Sequence, residues 1–465
     1  MRGEQQKISE DSSLRNDRSA TESYSGVPTL VRITENNFTG KTEEKGTLLE
    51  KILDPMNLNL AYKRVKKNKG KGGIDKMEVE SLYDYFVEHK EYLLRSILNG
   101  KYRPNPVRRV YIPKENGQQR SLGIPTVVDR VIQQAIHQVI SPLYEEDFHE
   151  NSYGFRPNRN AHQALKHCMS KAEQGYKYVV DIDLEKFFDT VNHSKLIEVL
   201  SRKVKDGRVL SLIHKYLNAG VVESGLFQRT AEGVPQGGPL SPLLSNILLN
   251  ELDQELSHRG HEFARYADDL IIMCRSKRSA DRVLKSITNF IEKTLYLRVN
   301  KEKTQVGHIK EVKFLGYGFY MNQEKCRARV HPKSVREMKN RLRALTSRSN
   351  GWSNELRKLK LKLFIQGWVN YFKLADMKKL LKGIDEWLRR RIRMVIWKQW
   401  KRVRTRIRNL TKLGIGKDKA YQFGNTRKGY WRIANSPILS QTITNKRLKS
   451  SGYTFLLDYY LSVKA

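Results

Sequence analysis

The chain has 465 residues, with 87 Lys and Arg against 49 Asp and Glu, a formal net charge of +38. Its 39% hydrophobic and 9% aromatic content suffices for packed cores, and at roughly 150 residues per domain the length predicts about three domains. No apolar run nears the ~20 residues of a spanning helix, so a protein of membrane-spanning helices is excluded, and a positive field this large points to a polyanionic partner, nucleic acid above all.

Residues 1–46 are polar and carry Glu4, Glu10, Asp11 and Asp17 among their cations. They have neither the acid-poor composition of a transit peptide nor the apolar core of a signal peptide, and read as a flexible extension. Cys168, Cys274 and Cys326 form no C-x-x-C pair, which argues against zinc or dithiol chemistry and agrees with a reducing compartment for a soluble intracellular protein.

From 47 to 330, helical periodicity alternates with short β-branched runs, the pattern of an α+β body. The glycine-rich segment NKGKGGIDK (68–76) lacks the frame of a phosphate-binding Walker loop. Residues 108–125 predict a β-hairpin with Asn116-Gly117 at its turn. Residues 176–193 contain a strand on which Asp181 and Asp183 share a face, and alternation does not choose between them. In GVPQGGPLSPLLSNI (233–247), Pro and Gly precede an apolar run, as at a helix start. FARYADDLIIMC (263–274) alternates and then becomes continuously apolar, which puts Asp268 and Asp269 at the tip of a second hairpin. Adjacent carboxylates repel unless a cation neutralises them, and Mg²⁺ takes carboxylate and phosphate oxygens together.

The chain then turns helical and strongly basic. Between Lys333 and Arg408 stand 24 Lys and Arg against 5 Asp and Glu. Val335, Met338, Leu342 and Leu345 trace one amphipathic stripe, and Leu381, Ile384, Leu388, Ile392 and Val395 another. Residues 356–372 predict a third helix, broken or kinked near Gly367. Arg389, Arg390, Arg391 and Arg393, followed by Lys398, are interleaved with Trp387, Trp397 and Trp400, a combination suited to phosphates and stacked bases; a solvated helix face is the plainer alternative. Residues 409–465, with Lys428 in RKGYWRIANSP, form a small basic module.

Together the motifs resemble the palm of reverse transcriptases. In that family an Asp is followed five positions later by an aromatic, ahead of a Tyr-Ala-Asp-Asp tip. Asp183 with Phe188 fits this spacing, whereas Asp181 would put Lys186 in the aromatic's place, so the resemblance favours Asp183 with Asp181 as the alternative. It implies that Asp183, Asp268 and Asp269 are catalytic and, with Leu184, hold two Mg²⁺ ions. It also implies dNTP contacts from Lys114 and Arg120, from Phe188 beneath the sugar, from Pro235, Gln236 and Gly237 beside the nascent pair, and from Lys303. Phe314, Leu315, Gly316, Tyr317 and Gly318 resemble the primer grip.

Residues 46–465 resemble the reverse transcriptase–maturases of bacterial group II introns, through NKGKGGIDK, SYGFRPNRNAHQAL (152–165), GWVNYF (367–372) and RKGYWRIANSP (427–437). The resemblance implies a right-hand polymerase, with fingers and palm and their antiparallel sheet over 47–330, a helical thumb or maturase domain over 331–408, and a DNA-binding module over 409–465. It implies RNA-directed DNA synthesis, binding of the host intron RNA to assist splicing, and support of mobility by target-primed reverse transcription. The partners implied are intron RNA, an RNA template with a DNA primer, target DNA and dNTPs, in a bacterial cytoplasm and at the nucleoid when target DNA is bound. Without paired cysteines near the C-terminus, the endonuclease-lacking lineage is expected. A retron or defence-type reverse transcriptase and a non-enzymatic RNA-binding splicing cofactor are the rival readings. The tail motif speaks against the first, and the three intact carboxylates against the second.

Overall fold

The computed structural model describes residues 47–113 and 119–464. The expected extension over 1–46, Lys114 and the Asn116-Gly117 turn lie outside these described residues. Two compact units divide at Val312/Lys313.

The strands of the first unit are β1 (Val107–Pro113), β2 (Gln119–Ile124), β3 (Tyr178–Ile182), β4 (Val221–Glu223), β5 (Leu226–Gln228), β6 (Glu262–Tyr266), β7 (Asp269–Cys274) and β8 (Gln305–His308). One sheet runs β2-β1-β4-β5 and contains a short parallel pair, β1 with β4, so it is mixed rather than purely antiparallel. The other runs β6-β7-β3-β8 with every pair antiparallel. Alternation explains its two faces. Val180, Ile182, Leu270 and Ile272 join the main core, and Asp181, Asp183 and Asp269 fall on the opposite face.

That core is built around the Ser241–His258 helix. Leu243, Leu244, Ile247, Leu248, Leu249, Leu252 and Leu256 are all buried along it, a broad apolar surface that has to be covered. Each buried leucine contributes about 1.5–3 kcal/mol relative to exposure. Pro242 in the first turn starts the helix directly after the Pro235-Gln236-Gly237 loop.

The second unit opens with a three-stranded antiparallel sheet of β9 (Lys313–Phe314), β10 (Tyr317–Asn322) and β11 (Lys325–Val330). This segment folds with the helices that follow it, so the division between units falls at Val312/Lys313 rather than at 330. The first predicted stripe lies on the Pro332–Leu345 helix, with Met338, Leu342 and Leu345 buried. The second lies on Lys378–Gln399, where all five apolar positions are buried. The third helix, Asn354–Phe372, runs unbroken through Gly367. An added Cβ at Gly367 would meet open space, so nothing there demands a glycine; it costs roughly 1 kcal/mol of helix propensity. Phe364, Trp368 and Phe372 are buried on this helix, whereas Leu356, Leu359 and Leu363 are exposed. All three cysteines are buried and free. No helix among the described residues is long and apolar enough to cross a membrane.

Candidate active site

The antiparallel register of the β6-β7-β3-β8 sheet gathers the candidate carboxylates at one end. Ile182 pairs with Leu270, so Asp183, one residue beyond β3, reaches the level of Asp269 at the start of β7. Tyr266 pairs with Asp269 across a two-residue turn, Ala267-Asp268, with Ala267 in the left-handed region at φ +58°. Asp268 is half-buried and Asp269 exposed.

Asp183 is braced through its backbone. Its N–H donates to Thr304 Oγ1 at 3.2 Å, and its carbonyl accepts from Asn300 N–H at 2.8 Å. Its side chain faces Lys303, whose Nζ lies 3.2 Å from Oδ2, with both groups well exposed. Asp181 lies inside β3, where Gln305 Nε2 reaches its carboxylate at 3.4 Å. Burial raises the Asp181 carboxyl above its ordinary range, and the neighbouring Asp183 adds to the rise against the Gln305 hydrogen bond. The two residues that alternation left equivalent therefore differ: both are half-buried, but Asp183 stands beside a cation whereas Asp181 is harder to ionise. Leu184 is buried and bridges to Val299, so a backbone carbonyl is all it could offer a metal.

The fingers hairpin meets the Pro-Gln-Gly loop. Arg120 Nε donates to Gln236 Oε1 at 3.2 Å, and Gly123 N–H donates to the Gln236 carbonyl at 2.7 Å. Gly237, at φ +125°, has no room for a side chain, because a Cβ would stand 2.6 Å from the Gly123 carbonyl. On the other side of the same loop, Val234 N–H donates to the Phe188 carbonyl at 2.6 Å. Phe188 is buried against Phe187 in the short Phe187–Thr190 helix.

The remaining predicted residues belong to the second unit. Leu315 and Gly316, both at positive φ, form the tight turn between β9 and β10. Tyr371 Oη donates to the Leu315 carbonyl at 3.0 Å, Ser334 Oγ to the Gly316 carbonyl at 3.0 Å, and Tyr317 Oη to the Tyr371 carbonyl. The arginine run turns largely inward. Arg390 donates to the Trp431 carbonyl at 2.9 Å and lies over its ring at 3.8 Å. Arg391 donates to Thr346 Oγ1 at 2.6 Å and to the Arg343 carbonyl at 3.1 Å, at the end of the Pro332–Leu345 helix. Arg393 donates to the Ile443 carbonyl at 2.9 Å. Burial lowers the pKa of Arg391 and Arg393. Arg389 stands over Phe455 at 4.8 Å and Lys398 over Tyr430 at 5.0 Å. Trp397, only 1% exposed, is a core residue rather than a base-stacking platform. Lys428 is exposed.

Among the described residues, no group of three or more His, Cys, Asp or Glu side chains stands preassembled around a metal position. The donor chemistry nonetheless suits a hard divalent cation: carboxylates from two segments converge at one sheet end, with the Lys303 ammonium as their neighbouring positive charge.

Comparisons with known proteins bear on the family. Residues 112–319 match the model of the reverse transcriptase (RNA-dependent DNA polymerase) family, and residues 335–414 match the group II intron maturase-specific domain. The Escherichia coli protein YkfC is 35% identical over 53% of this chain and 74% of its own length. The chain belongs to the group II intron reverse transcriptase–maturase family. The group II intron-encoded protein LtrA of Lactococcus lactis is 32% identical over 62% of this chain and 59% of its own length, and a mitochondrial nuclear intron maturase of Arabidopsis thaliana is 28% identical over 35% and 28%. The chain thus spans about three fifths of LtrA. The α+β fold, with an antiparallel palm sheet followed by a helical C-terminal part, is that of a reverse transcriptase.

Proposed function

We propose that this protein is an RNA-directed DNA polymerase that also binds its intron RNA to assist splicing and supports mobility by target-primed reverse transcription. The convergence of Asp183 with the Asp268-Asp269 turn, beside Lys303, is the observation that carries the reading. Asp183, Asp268 and Asp269, with the Leu184 carbonyl, would hold two Mg²⁺ ions. Bound there, the ions would lower the pKa of the primer's 3′-hydroxyl and neutralise the triphosphate and departing pyrophosphate.

The chain's own residues do the positioning, which is most of the catalysis of phosphoryl transfer. Arg120, held by Gln236, would present its terminal nitrogens to the triphosphate from the fingers, as would Lys114, and a guanidinium suits paired phosphate oxygens. Lys303 would exchange its Asp183 partner for triphosphate oxygens. Phe188, buttressed through Val234, would occupy the space of a 2′-hydroxyl and select dNTPs over NTPs. The loop of Pro235, Gln236 and Gly237 would bound the nascent base pair, and the turn over 314–318 would grip the primer. Exposed cations such as Lys428 would meet the RNA or DNA backbone, with release of counterions.

Purified protein given an RNA template, an annealed DNA primer, dNTPs and Mg²⁺ is expected to make cDNA. A template–primer that is demonstrably bound but never extended would overturn the polymerase reading and favour the splicing cofactor.

A further inference from the structure

Arg265 is two residues before the Ala267-Asp268 turn and 1% exposed, and each of its five N–H groups has an acceptor. Nε donates to Asp253 Oδ1 at 2.7 Å and Nη2 to Asp253 Oδ2. Nη2 also donates to Ser152 Oγ at 2.8 Å, and Nη1 to Asn246 Oδ1 at 3.0 Å and to the Ala267 carbonyl at 2.9 Å. Asp253, Ser152 and Asn246 are themselves fully enclosed. One guanidinium therefore ties the carbonyl of a strained turn residue to the Ser241–His258 helix, which also begins at the Pro-Gln-Gly loop.

The same turn is held from a second direction. Asn151 and Tyr153 exchange backbone hydrogen bonds with Arg265 at 2.9 and 2.8 Å. Gly154 then lies so close that a Cβ would stand 2.3 Å from Ala267 N, and its carbonyl accepts from Asn246 Nδ2 at 2.8 Å. A left-handed alanine is unfavourable by itself and persists where its surroundings hold it.

We propose that Arg265, with Asp253, Asn246 and Gly154, is a positioning device that sets the aim of the Asp268 and Asp269 carboxylates. One of the five N–H groups reaches the turn, and it fastens the Ala267 carbonyl, beside the carboxylates that the turn presents, to a buried ion pair whose other donors are all satisfied. The inference rests on the reading of those carboxylates as a metal site.

Arg265→Met alone would leave Asp253 buried and unpaired and could fail to fold. The double variant Arg265→Met with Asp253→Leu removes both charges, an exchange that buried ion pairs often tolerate. The readouts are the melting temperature, Mn²⁺ affinity by electron paramagnetic resonance without primer or nucleotide, and primer extension resolved into kcat and dNTP KM. The folded double variant is expected to bind Mn²⁺ about tenfold or more weakly and to lose kcat with little change in KM, the scale of effect that residues orienting metal ligands have. Gly154→Ala, which keeps the ion pair and pushes the turn, should give the same phenotype and decides the matter if the double variant does not fold. Wild-type Mn²⁺ affinity and kcat in either folded variant would overturn the proposal. Asp268→Ala is the control: Mn²⁺ binding that survives it would sink the metal site itself and with it the clamp's purpose, whereas binding lost there but kept in both clamp variants would sink the clamp alone.

Discussion

Only Ile182 stands between Asp181 and Asp183, yet burial raises the carboxyl of the first while the second sits beside an ammonium. Sequence alternation could not see this, because it records which face a side chain takes and not how deeply the next strand covers it. Spacing to Phe188 did favour Asp183. An exposed ion pair is worth at most about 1 kcal/mol, so Lys303→Ala should leave the melting temperature within a few degrees while raising the dNTP KM in steady-state extension. Phe188→Ala should relax the preference for dNTPs in single-nucleotide incorporation; because the ring is buried, a stability cost of about 3–5 kcal/mol is expected and active enzyme must be titrated. Unchanged sugar discrimination would remove Phe188 from its assigned place. The Arg265 clamp was not legible, since an arginine in an alternating strand looks like a solvated position until its partners at 152, 246 and 253 are brought together by the fold.

Periodicity recovered most elements, and its failures have physical causes. Gly367 predicts a break or kink in the Asn354–Phe372 helix, but glycine lowers helix stability without forbidding it, and burial of Trp368 and Phe372 outweighs that cost. In the sequence the arginine run suits phosphates or a solvated helix face; in the fold Arg390, Arg391 and Arg393 donate to backbone carbonyls from other elements of the same unit. A run of like charges tells nothing of the helix ends that tertiary structure carries to it. Arg391→Met should therefore destabilise the fold by about 2 kcal/mol through lost charged hydrogen bonds, and so lower the melting temperature. It should leave the salt slope of RNA binding unchanged, whereas Lys428→Ala should reduce that slope by about 1.

Asp385 supplies a pH test at the same scale. It accepts from the N–H groups of Leu456 and Leu457, both at 2.9 Å, at the start of the Leu456–Lys464 helix. Burial pushes its carboxyl up to about 6, against the opposing effect of those N–H donors and of Arg389. The folded form thus holds the proton more tightly than the unfolded chain, whose carboxyl titrates near ~4. Its contribution to stability is complete below that lower value and is lost as pH rises to about 6. Asp385→Asn should flatten thermal stability across this window; a decline of unchanged size in the variant would assign the titration elsewhere.

On the scale of the whole molecule, a net charge of +38 means that RNA affinity should fall steeply and linearly on a double-logarithmic salt plot. Fold class and family were legible because six motifs fall in order along one chain. The division into units was less so: composition changes near 331, but Lys313–Phe314 pairs with Tyr317–Asn322 and so draws the intervening sheet into the second unit. Binding and chemistry are also separable at this scale. A splicing role needs the basic surface and not the carboxylates, so Asp268→Ala should still support splicing of its intron RNA.

The most direct test compares wild type, Asp268→Ala, Asp183→Ala and Asp181→Ala in single-turnover extension of a DNA primer on an RNA template, with template–primer binding measured in parallel. Binding is expected to be equal throughout, with extension reduced about a thousandfold or more in Asp268→Ala and Asp183→Ala, corresponding to about 4 kcal/mol of lost transition-state stabilisation, and less in Asp181→Ala. Extension that survives Asp268→Ala, or that depends on Asp181 rather than Asp183, would contradict the metal site.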